Sequence, residues 1–499
     1  MSRLSLSSFF ATLLLTSPLA STVARAEVKV PHILSSHMVV QRDLPVHLWG
    51  WAAVGESITA SFRGNSRSAT ANELGQWSVY LPPGDAGGPF TITIKGTNSI
   101  VLDDVLVGDV WLASGQSNME FEMRKASTAA EDLPKAADPR IRLMIVKKHF
   151  ADFSQTDLEG TEWAASTPDS AREFSAVAWY FAREISQREN VPIGVIDSTW
   201  GGTVAEAWTR LTALGADASL APVFTARGHM TDREAKAILE EDLHAQQRAG
   251  ARAQGRPEPK LPWHPVLNMW GPSMLWNGMI APLTPLPIRG VLWYQGESNS
   301  VLERAPTYER LFSTLITDWR RQWQIGDFPF LFVQLANFTS TPAEDWSAIR
   351  EAQLRTLALR NTGMAVTIDI GNPDDVHPTD KRTVGHRLAL TARRITYGES
   401  SLEDSGPLFR QATTEGSSLR LWFDHADGLE AKGALTGFEV AGPDGVFVPA
   451  EARIDGKTVL LSSPSVASPT AGRYGWANSP ECHLYNSADL PASPFTTAQ

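Results

Sequence analysis

The chain has 499 residues, of which 42% are hydrophobic and 20% are charged, a composition typical of soluble globular proteins. Its formal net charge of -11 argues against nucleic acid as a partner, because binding nucleic acid requires a cationic surface. The length predicts about three domains of ~150 residues. Cys482 is the only cysteine, which rules out an internal disulfide, and we expect it to be a small buried side chain.

The first 26 residues are predicted to be a signal peptide. Arg3 supplies the positive charge, the apolar stretch Phe9–Leu19 is too short to span a bilayer, and Ala24–Ala26 forms an A-x-A cleavage site. We therefore expect cleavage near Ala26 and export to the periplasm or the extracellular space, without a membrane anchor.

Residues 27–104 have the pattern of a β-sandwich domain. Short runs such as "PVHLWGWA" and "QWSVYLP" are separated by Gly, Pro, Asn and Asp at intervals of about ten residues. Trp49 and Trp51 in the first run are interpreted as core residues rather than as a sugar platform. Residues 398–499 are again rich in strand-like runs, which predicts a C-terminal β-rich region.

Residues 105–397 alternate between strand-like and helix-like segments. The predicted strands are "DVWLAS", "PIGVIDSTW", "RGVLWYQ", "FPFLFVQLA" and "GMAVTIDIG", and they are almost continuously apolar, as expected for a parallel sheet covered on both faces. In the helix "PTYERLFSTLITDWRRQW", apolar residues recur at helical spacing along one face. This pattern predicts a doubly wound α/β domain.

A charged segment interrupts this pattern at about residues 210–262. It includes "TDREAKAILEEDLHAQQRAG", and its end is rich in Arg, Gly and Pro. We expect a helical hairpin or lid here, followed by a flexible linker.

Polar loops of small residues follow four of the predicted strands. In an open parallel sheet, ligands bind beyond the carboxyl ends of the strands, so these loops are expected to meet at one edge. The four loops are Ser114–Asn118, Thr199–Thr203, Gln295–Asn299 and Gly371–Pro378.

Together these loops contain the groups needed for acyl transfer. Ser117 is a candidate nucleophile and His377 the base that activates it, with Asp374 or Asp375 orienting the imidazole ring. Stabilising a tetrahedral oxyanion requires preorganised donors. The candidates for this role are the amides of Ser117 and of Gly201 or Gly202, with the side chain of Gln295 or Asn299.

Four sequence blocks, "GQSNME", "WGGT", "WYQGES" and "DVHP", resemble those of the SGNH/GDSL hydrolase superfamily, most closely its sialate O-acetylesterase-like carbohydrate esterases. The stretches "HMVVQRDLPVHLWGWA", "WNGMIAPL" and "RYGWANSPECHLYNSADLPASPF" extend the resemblance over nearly the whole mature chain. It implies a flavodoxin-like catalytic domain that removes acetyl groups from sugar hydroxyls without a metal or other cofactor. It also assigns Ser117 as nucleophile, Gly202 or its neighbour Gly201 as oxyanion glycine and His377 as base.

Two assignments stay open at this point. The usual superfamily spacing places the acid three residues before the histidine and favours Asp374, whereas the subfamily spacing favours Asp375; we prefer Asp374. Gln295 lies nearer the strand end and is preferred to Asn299. Further candidates for contact with the substrate are Gln116, Asn118 and Glu297.

The predicted function is that of a secreted carbohydrate O-acetylesterase acting on acetylated sialic acid or on acetylated hemicellulose such as xylan or xyloglucan. One alternative is a glycoside hydrolase that uses Glu297, paired with Glu206 or Asp375. Another is a sugar-binding protein without catalysis. No metal site is predicted, because the histidines considered show no metal-ligand spacing. The sequence does not indicate an oligomeric state.

Overall fold

The computed structural model describes residues 27–259 and 267–498. The predicted signal peptide lies outside the described residues. Within them, no helix combines the length and the apolar character needed to cross a membrane.

The N-terminal part of the described chain is built from seven strands. Their bounds are β1 (Val39–Gln41), β2 (Val46–Trp51), β3 (Ser57–Phe62), β4 (Asn65–Thr70), β5 (Gln76–Leu81), β6 (Gly87–Lys95) and β7 (Ser99–Gly115). Strands β2 and β5 form an antiparallel pair, while β4, β3, β6 and the first half of β7 form a second antiparallel sheet. The predicted strands are present; β4 was not predicted.

Strand β7 links this region to the α/β sheet. Its first half pairs with β6, and its second half, Asp109–Gly115, pairs in parallel with β10. The predicted boundary between residues 104 and 105 therefore falls inside one continuous strand.

The α/β part contains a mixed sheet with β7 in its interior. The other strands are β8 (Asp138–Ile145), β9 (Trp163–Ser166), β10 (Ile193–Thr199), β11 (Gly290–Tyr294), β12 (Phe330–Val333) and β13 (Thr362–Ala365). Their order is β13–β12–β11–β7–β10–β8–β9, and every neighbouring pair is parallel except β8 with β9. The predicted parallel arrangement is confirmed, whereas β8 and β9 were not predicted.

Helices cover both faces of this sheet. Their bounds are α1 (Ser117–Glu120), α2 (Ala129–Asp132), α3 (Pro168–Arg172), α4 (Ala176–Glu189), α5 (Leu211–Gly215), α6 (Ala221–Ala253), α7 (Tyr308–Trp323), α8 (Trp346–Thr356) and α9 (Lys381–Ile395). Neighbouring residues of β11 point to opposite faces. Trp293 packs on Phe312 of α7 (6.1 Å between ring centroids), and Tyr294 lies 5.4 Å below the Lys381 ammonium of α9.

The segment at 210–262 is mainly one helix, so the predicted hairpin is wrong. Helix α6 runs for 33 residues without a turn. Good helix formers such as Ala, Glu, Gln and Arg dominate its sequence, and no proline occurs after Pro222 in its first turn. The predicted linker lies partly outside the described residues.

Residues 398–498, the described part of the C-terminal region, contain ten strands in three sheets. They are β14 (Leu408–Glu415), β15 (Ser418–Asp424), β16 (Glu430–Ala431), β17 (Phe438–Ala441), β18 (Phe447–Pro449), β19 (Glu451–Asp455), β20 (Thr458–Ser462), β21 (Ala471–Tyr474), β22 (Leu484–Tyr485) and β23 (Phe495–Thr496). Cys482 is buried, as predicted, and burial raises the pKa of its thiol to about 11.

Candidate active site

The candidate site lies at the carboxyl ends of β7, β10 and β11. Within the sheet, β10 and β8 lie on one side of β7, and β11 lies on its other side. The chain forms β8 and β10 first and then crosses over β7 to form β11. Such a reversal of strand order opens a crevice at the carboxyl edge. The loops after these strands and after β13 supply the predicted site residues.

Ser117 is held at this edge by a glycine turn at the end of β7. Gly115 adopts φ +129°, and a Cβ at this position would lie 2.2 Å from the carbonyl oxygen of Tyr294 on the neighbouring strand. Only glycine fits this turn. The chain then enters α1 with Ser117 as its first residue, which leaves the hydroxyl half-buried at the mouth of the crevice.

His377 lies beside Ser117. Its Nε2 is 2.8 Å from the Ser117 Oγ, although the two residues are 260 positions apart in sequence. This is the contact that a histidine needs to take the proton of a serine hydroxyl. The structure thus brings Ser117 and His377 together at the edge where the sequence predicts that the loops meet.

Of the two candidate aspartates, the structure places Asp375 beside the histidine ring, which does not support the preference for Asp374. Asp375 Oδ1 lies 3.6 Å from His377 Nδ1 and accepts the His377 backbone N–H at 2.9 Å. Asp374 is exposed, and its backbone N–H turns back to the side chain of Asn372.

The two glycines after β10 play different roles. The Gly201 N–H donates to the Glu120 carboxylate, and a Cβ at Gly201 would lie 3.2 Å from the Ser117 Cβ. Gly202 has φ +73°, and none of the hydrogen bonds among residues 27–259 and 267–498 uses its N–H. Of the two amides, that of Gly202 is available to an oxyanion.

The structure also does not support the preference for Gln295 as an oxyanion donor. Both amide protons of Gln295 are used, one on the Thr203 carbonyl (3.1 Å) and the other on Asn299 Oδ1 (2.7 Å). The side chain is fully buried and braces the loops after β10 and β11. Asn299 donates one proton to Glu206 Oε2 at 2.9 Å. Of these two side-chain amides, only that of Asn299 has an N–H that no hydrogen bond among the described residues uses.

The three residues predicted to contact substrate instead join the loops. Gln116, Asn118 and Glu297 are 3%, 1% and 9% exposed. The side-chain Oε1 of Gln116 accepts the Ser298 N–H at 3.2 Å. The Asn118 amide donates to Glu297 Oε1 at 2.6 Å and to the Val376 carbonyl at 2.9 Å. Asn118 thus ties the Ser117 helix directly to the loop that carries His377.

A buried lysine completes this network. The Lys381 ammonium donates to Asn118 Oδ1 at 2.5 Å, and burial lowers the Lys381 pKa to about 7. Burial also raises the pKa of Glu297, while the Asn118 hydrogen bond opposes that rise. Burial and the positive charge of Lys381 lower the His377 pKa, while Asp375 raises it. A lower pKa favours the neutral imidazole that a general base requires.

Sequence reasoning missed Glu120, Lys148 and Lys381. Glu120 forms an ion pair with Lys148 while accepting the Gly201 N–H, so it fixes the loop after β10 against the Ser117 helix. The sequence did contain a signal for Lys381. This lysine is the first residue of a helix, where the helix macrodipole disfavours a positive charge. A lysine at that position therefore indicates a specific interaction of its ammonium group.

Another group of possible metal ligands lies outside the four loops. The ligand atoms of Glu403, Asp404 and His425 all lie within 4.8 Å of one another. His425 Nδ1 contacts Glu403, and the Arg394 guanidinium lies 3.3 Å from Asp404. Each of the two acidic side chains therefore already has a basic side chain as its neighbour.

The chain is similar to known carbohydrate esterases over most of its length. A family model described as "Carbohydrate esterase, sialic acid-specific acetylesterase" matches residues 268–394. Sialate O-acetylesterases from rat and human are each 30% identical to this chain; both alignments cover 93% of it, with 93% of the rat protein and 91% of the human protein. A crystal structure of a carbohydrate acetylesterase from Xanthomonas citri is 39% identical, with a TM-score of 0.81 over 95% of this chain and 100% of that one. The chain therefore belongs to the sialate O-acetylesterase family of carbohydrate esterases and is a carboxylic ester hydrolase.

Proposed function

We propose that this protein hydrolyses acetyl esters on sugar hydroxyls through Ser117, His377 and Asp375. The observation that carries the proposal is the 2.8 Å contact between Ser117 Oγ and His377 Nε2 at the carboxyl edge of the sheet. Asp375 lies on the Nδ1 side of the ring. The names of the relatives, all esterases acting on acetylated carbohydrate, support the choice of reaction.

The reaction proceeds through an acetyl-enzyme. His377 Nε2 takes the Ser117 proton while Oγ attacks the acetyl carbonyl carbon, and the negative charge on the carbonyl oxygen faces the Gly202 N–H. The bond to the sugar oxygen then breaks, and His377 returns the proton to that oxygen. In the second half, His377 deprotonates water, which attacks the acetyl carbon; acetate leaves and Ser117 regains its proton.

We further propose that the α/β part is a flavodoxin-like SGNH domain, with the N-terminal strands forming a β-sandwich beside it. The strand order around β7 supports the first assignment, and the separate antiparallel sheets of the N-terminal strands support the second. The protein is exported after cleavage near Ala26, as the charge and apolar stretch of the first 26 residues indicate. N-terminal sequencing of the mature protein tests this: Glu27 is expected as the first residue, and an intact Met1 in the cytoplasm would contradict export.

The buried state of Glu297 argues against glycoside hydrolysis. Inverting and retaining glycosidases need two carboxyl groups that face the scissile bond. Glu297 accepts a hydrogen bond from Asn118. Glu206 forms an ion pair with Arg304 at 3.1 Å and accepts a hydrogen bond from Asn299. Neither carboxylate is presented to a sugar.

Acetate release from a panel of acetylated sugars tests the proposal. The panel contains acetylated sialosides, acetylated xylan and p-nitrophenyl acetate. Ser117→Ala and His377→Ala are each expected to remove nearly all activity, and the double variant is expected to be no slower than the slower single variant, because the two side chains act as one unit. Activity of Ser117→Ala within a few-fold of the parent would contradict the mechanism.

A further inference from the structure

A second cleft lies on the N-terminal strands. It has a volume of about 620 Å³, within the usual range of ligand sites. Strand β2 alternates between buried and half-buried residues, and its half-buried side carries His47, Trp49 and Trp51. The two tryptophans were expected to be core residues, but both are only half-buried. Across the β2–β5 pair, His47 faces Tyr80, Trp49 faces Ser78, and Trp51 faces Gln76. The cleft therefore contains an aromatic strip, formed by His47, Trp49, Trp51 and Tyr80, which lies beside small neutral polar groups.

Three of the four rings in this strip are stacked on one another. The His47 ring stacks on Tyr80 (4.4 Å between centroids, 7° between planes) and on Trp49 (4.8 Å, 26°). Its two nitrogens contact the Pro285 carbonyl at 2.8 Å and the Ser78 hydroxyl at 2.7 Å. His47 thus acts as a spacer between two aromatic rings. Rings fixed in this way lose little entropy when a ligand stacks on them.

The outer surfaces of the strip remain accessible to a ligand. Tyr80 is 59% exposed, and Trp51 has no ring partner within the described part of the chain. Gln76, Gln155 and Asn72 add exposed amides along the walls. Flat apolar rings next to amide and hydroxyl groups match the chemistry of a sugar chain, which presents C–H faces and hydroxyl edges.

The charge of the cleft selects among sugars. None of the described residues that line it is a Lys, Arg, Asp or Glu. Burial lowers the pKa of His47, which favours its neutral form. A sialic acid carboxylate would require a cationic partner, and the chain has a net charge of -11. The cleft therefore suits a neutral chain better than an anionic one.

One continuous segment connects the cleft to the candidate active site. At one end, Lys148 pairs with Glu120 and Phe150 packs against Trp200. At the other end, Gln155 and Thr156 line the cleft. The eight steps from Lys148 to Thr156 span at most about 29 Å.

The "WNGMIAPL" stretch supports this connecting segment. Its π-helical turn, Trp276–Ile280, carries Asn277, whose amide donates to the carbonyls of Ala151 and Asp152 at 3.0 Å each. The chain then continues into Ala281–Pro285, which forms another wall of the cleft. The turn that carries Asn277 therefore holds the segment Lys148–Thr156 in place and also leads into the wall formed by Ala281–Pro285.

We infer that the aromatic cleft formed by β2, β5, Gln155–Thr156 and Ala281–Pro285 binds a neutral carbohydrate chain and holds it while Ser117 removes its acetyl groups. The inference that the bound chain is also the substrate rests on the proposed function; the binding itself does not. Holding the polymer raises the local concentration of acetyl esters at Ser117 without changing the chemical step.

Binding is tested in the Ser117→Ala protein, where no turnover is expected to interfere. Isothermal titration uses xylo-oligosaccharides and cello-oligosaccharides as neutral probes and sialyllactose as the anionic probe. We expect a neutral probe to bind, and Trp49→Ala, Trp51→Ala or Tyr80→Ala to weaken that binding about tenfold or more. Trp422→Ala is the matched control, because Trp422 lies half-buried on β15 outside the cleft and is expected to leave binding unchanged.

The same substitutions are then made in the active protein. They are expected to raise KM for acetylated polysaccharide while leaving kcat and the hydrolysis of p-nitrophenyl acetate unchanged. Melting temperatures exclude unfolding, and the exposed Tyr80 variant keeps the test valid if a Trp variant is unstable. Unchanged binding in all three cleft variants, no binding of either neutral probe, or tighter binding of sialyllactose would overturn the inference. A parent that binds neutral chains but releases no acetate would contradict the proposed function and leave the cleft assignment intact.

Discussion

At the scale of single residues, the two neighbouring aspartates before His377 make a direct test of the site. Asp375 lies against the ring, whereas Asp374 is exposed. We expect Asp375→Asn to lower kcat by up to about 10⁴-fold, because an amide stabilises the wrong tautomer and not the imidazolium. Asp374→Asn is the matched control and is expected to change kcat little. A large loss in Asp374→Asn with near-normal Asp375→Asn would reverse the assignment, and kcat for an acetyl ester is the measurement.

The pH dependence of activity tests the charges around His377. The groups that shift its pKa are Lys381 and Lys125, which lower it, and Asp375, which raises it; burial lowers it most. The neutral base is present only above the His377 pKa, so kcat/KM falls as the pH drops through a value below about 6.5.

Lys381→Met removes the stronger of these positive charges, so the acid limb of kcat/KM is expected to move to higher pH. Lys125→Met is expected to move the limb in the same direction but less, since solvent screens this half-exposed side chain. Profiles of kcat/KM against pH, measured on variants with native melting curves, check this. An acid limb in Lys381→Met that stays in place or moves to lower pH would contradict the account.

Residue types and spacing in the sequence predicted Ser117 and His377 but not the detailed roles of their neighbours. Four loops of small polar residues were enough to place a serine and a histidine at one edge. The choice between Gln295 and Asn299 depends on which amide protons are already used. One Gln295 proton goes to the carbonyl of Thr203, in a loop 92 positions away, and that contact cannot be predicted from local sequence. The choice between Asp374 and Asp375 likewise depends on the local turn around Asn372.

At the scale of elements, the turn that ends β7 is the feature most sensitive to substitution. Gly115→Ala would place a Cβ 2.2 Å from the Tyr294 carbonyl at φ +129°, and we expect a loss of about 3 kcal/mol or more in unfolding free energy. Gly160→Ala is the control: its φ is +63° and nothing lies within 4 Å of the added Cβ, so a loss of about 1 kcal/mol is expected. Urea denaturation compares the two, and equal losses would contradict the role of close packing at Gly115.

The elements themselves were predictable where burial leaves a strong pattern. The face of α7 formed by Tyr308, Leu311, Phe312, Leu315, Ile316 and Trp319 is 0–1% exposed, as its spacing predicts. Strand β8 was missed because charged residues interrupt its apolar run, and one of them, Arg142, is buried against Asp104 at 2.6 Å. The length of α6 was missed because a charged helix without a strong apolar face resembles a hairpin or a linker in sequence.

At the scale of the whole molecule, buried hydrogen bonds connect the C-terminal region to the α/β part. Arg350 of α8 is fully buried and donates to the carbonyls of Ala477 (2.8 Å) and Asn478 (2.6 Å). Gln334, which follows β12, donates to Ser493 at 2.7 Å, and both residues are fully buried. Removing residues 398–499 would remove these hydrogen bonds and would also uncover part of the single hydrophobic core cluster that contains residues of both regions.

We therefore expect a chain ending at residue 397 to be insoluble or to lack a cooperative melting transition. Circular dichroism, a thermal melt and acetate release test this against the full-length protein. A truncated chain with native melting behaviour and activity would show instead that the C-terminal region is an independent unit.

The central claim, that His377 makes Ser117 a nucleophile, is tested most directly by covalent labelling. A serine-reactive phosphonate is incubated with the parent, Ser117→Ala and His377→Ala proteins, and the adduct is located by peptide mass spectrometry. We predict one adduct per parent molecule, on Ser117, none in Ser117→Ala, and labelling of Ser117 that is slowed by orders of magnitude in His377→Ala. Labelling of another serine, or labelling of Ser117 at the same rate without His377, would contradict the account.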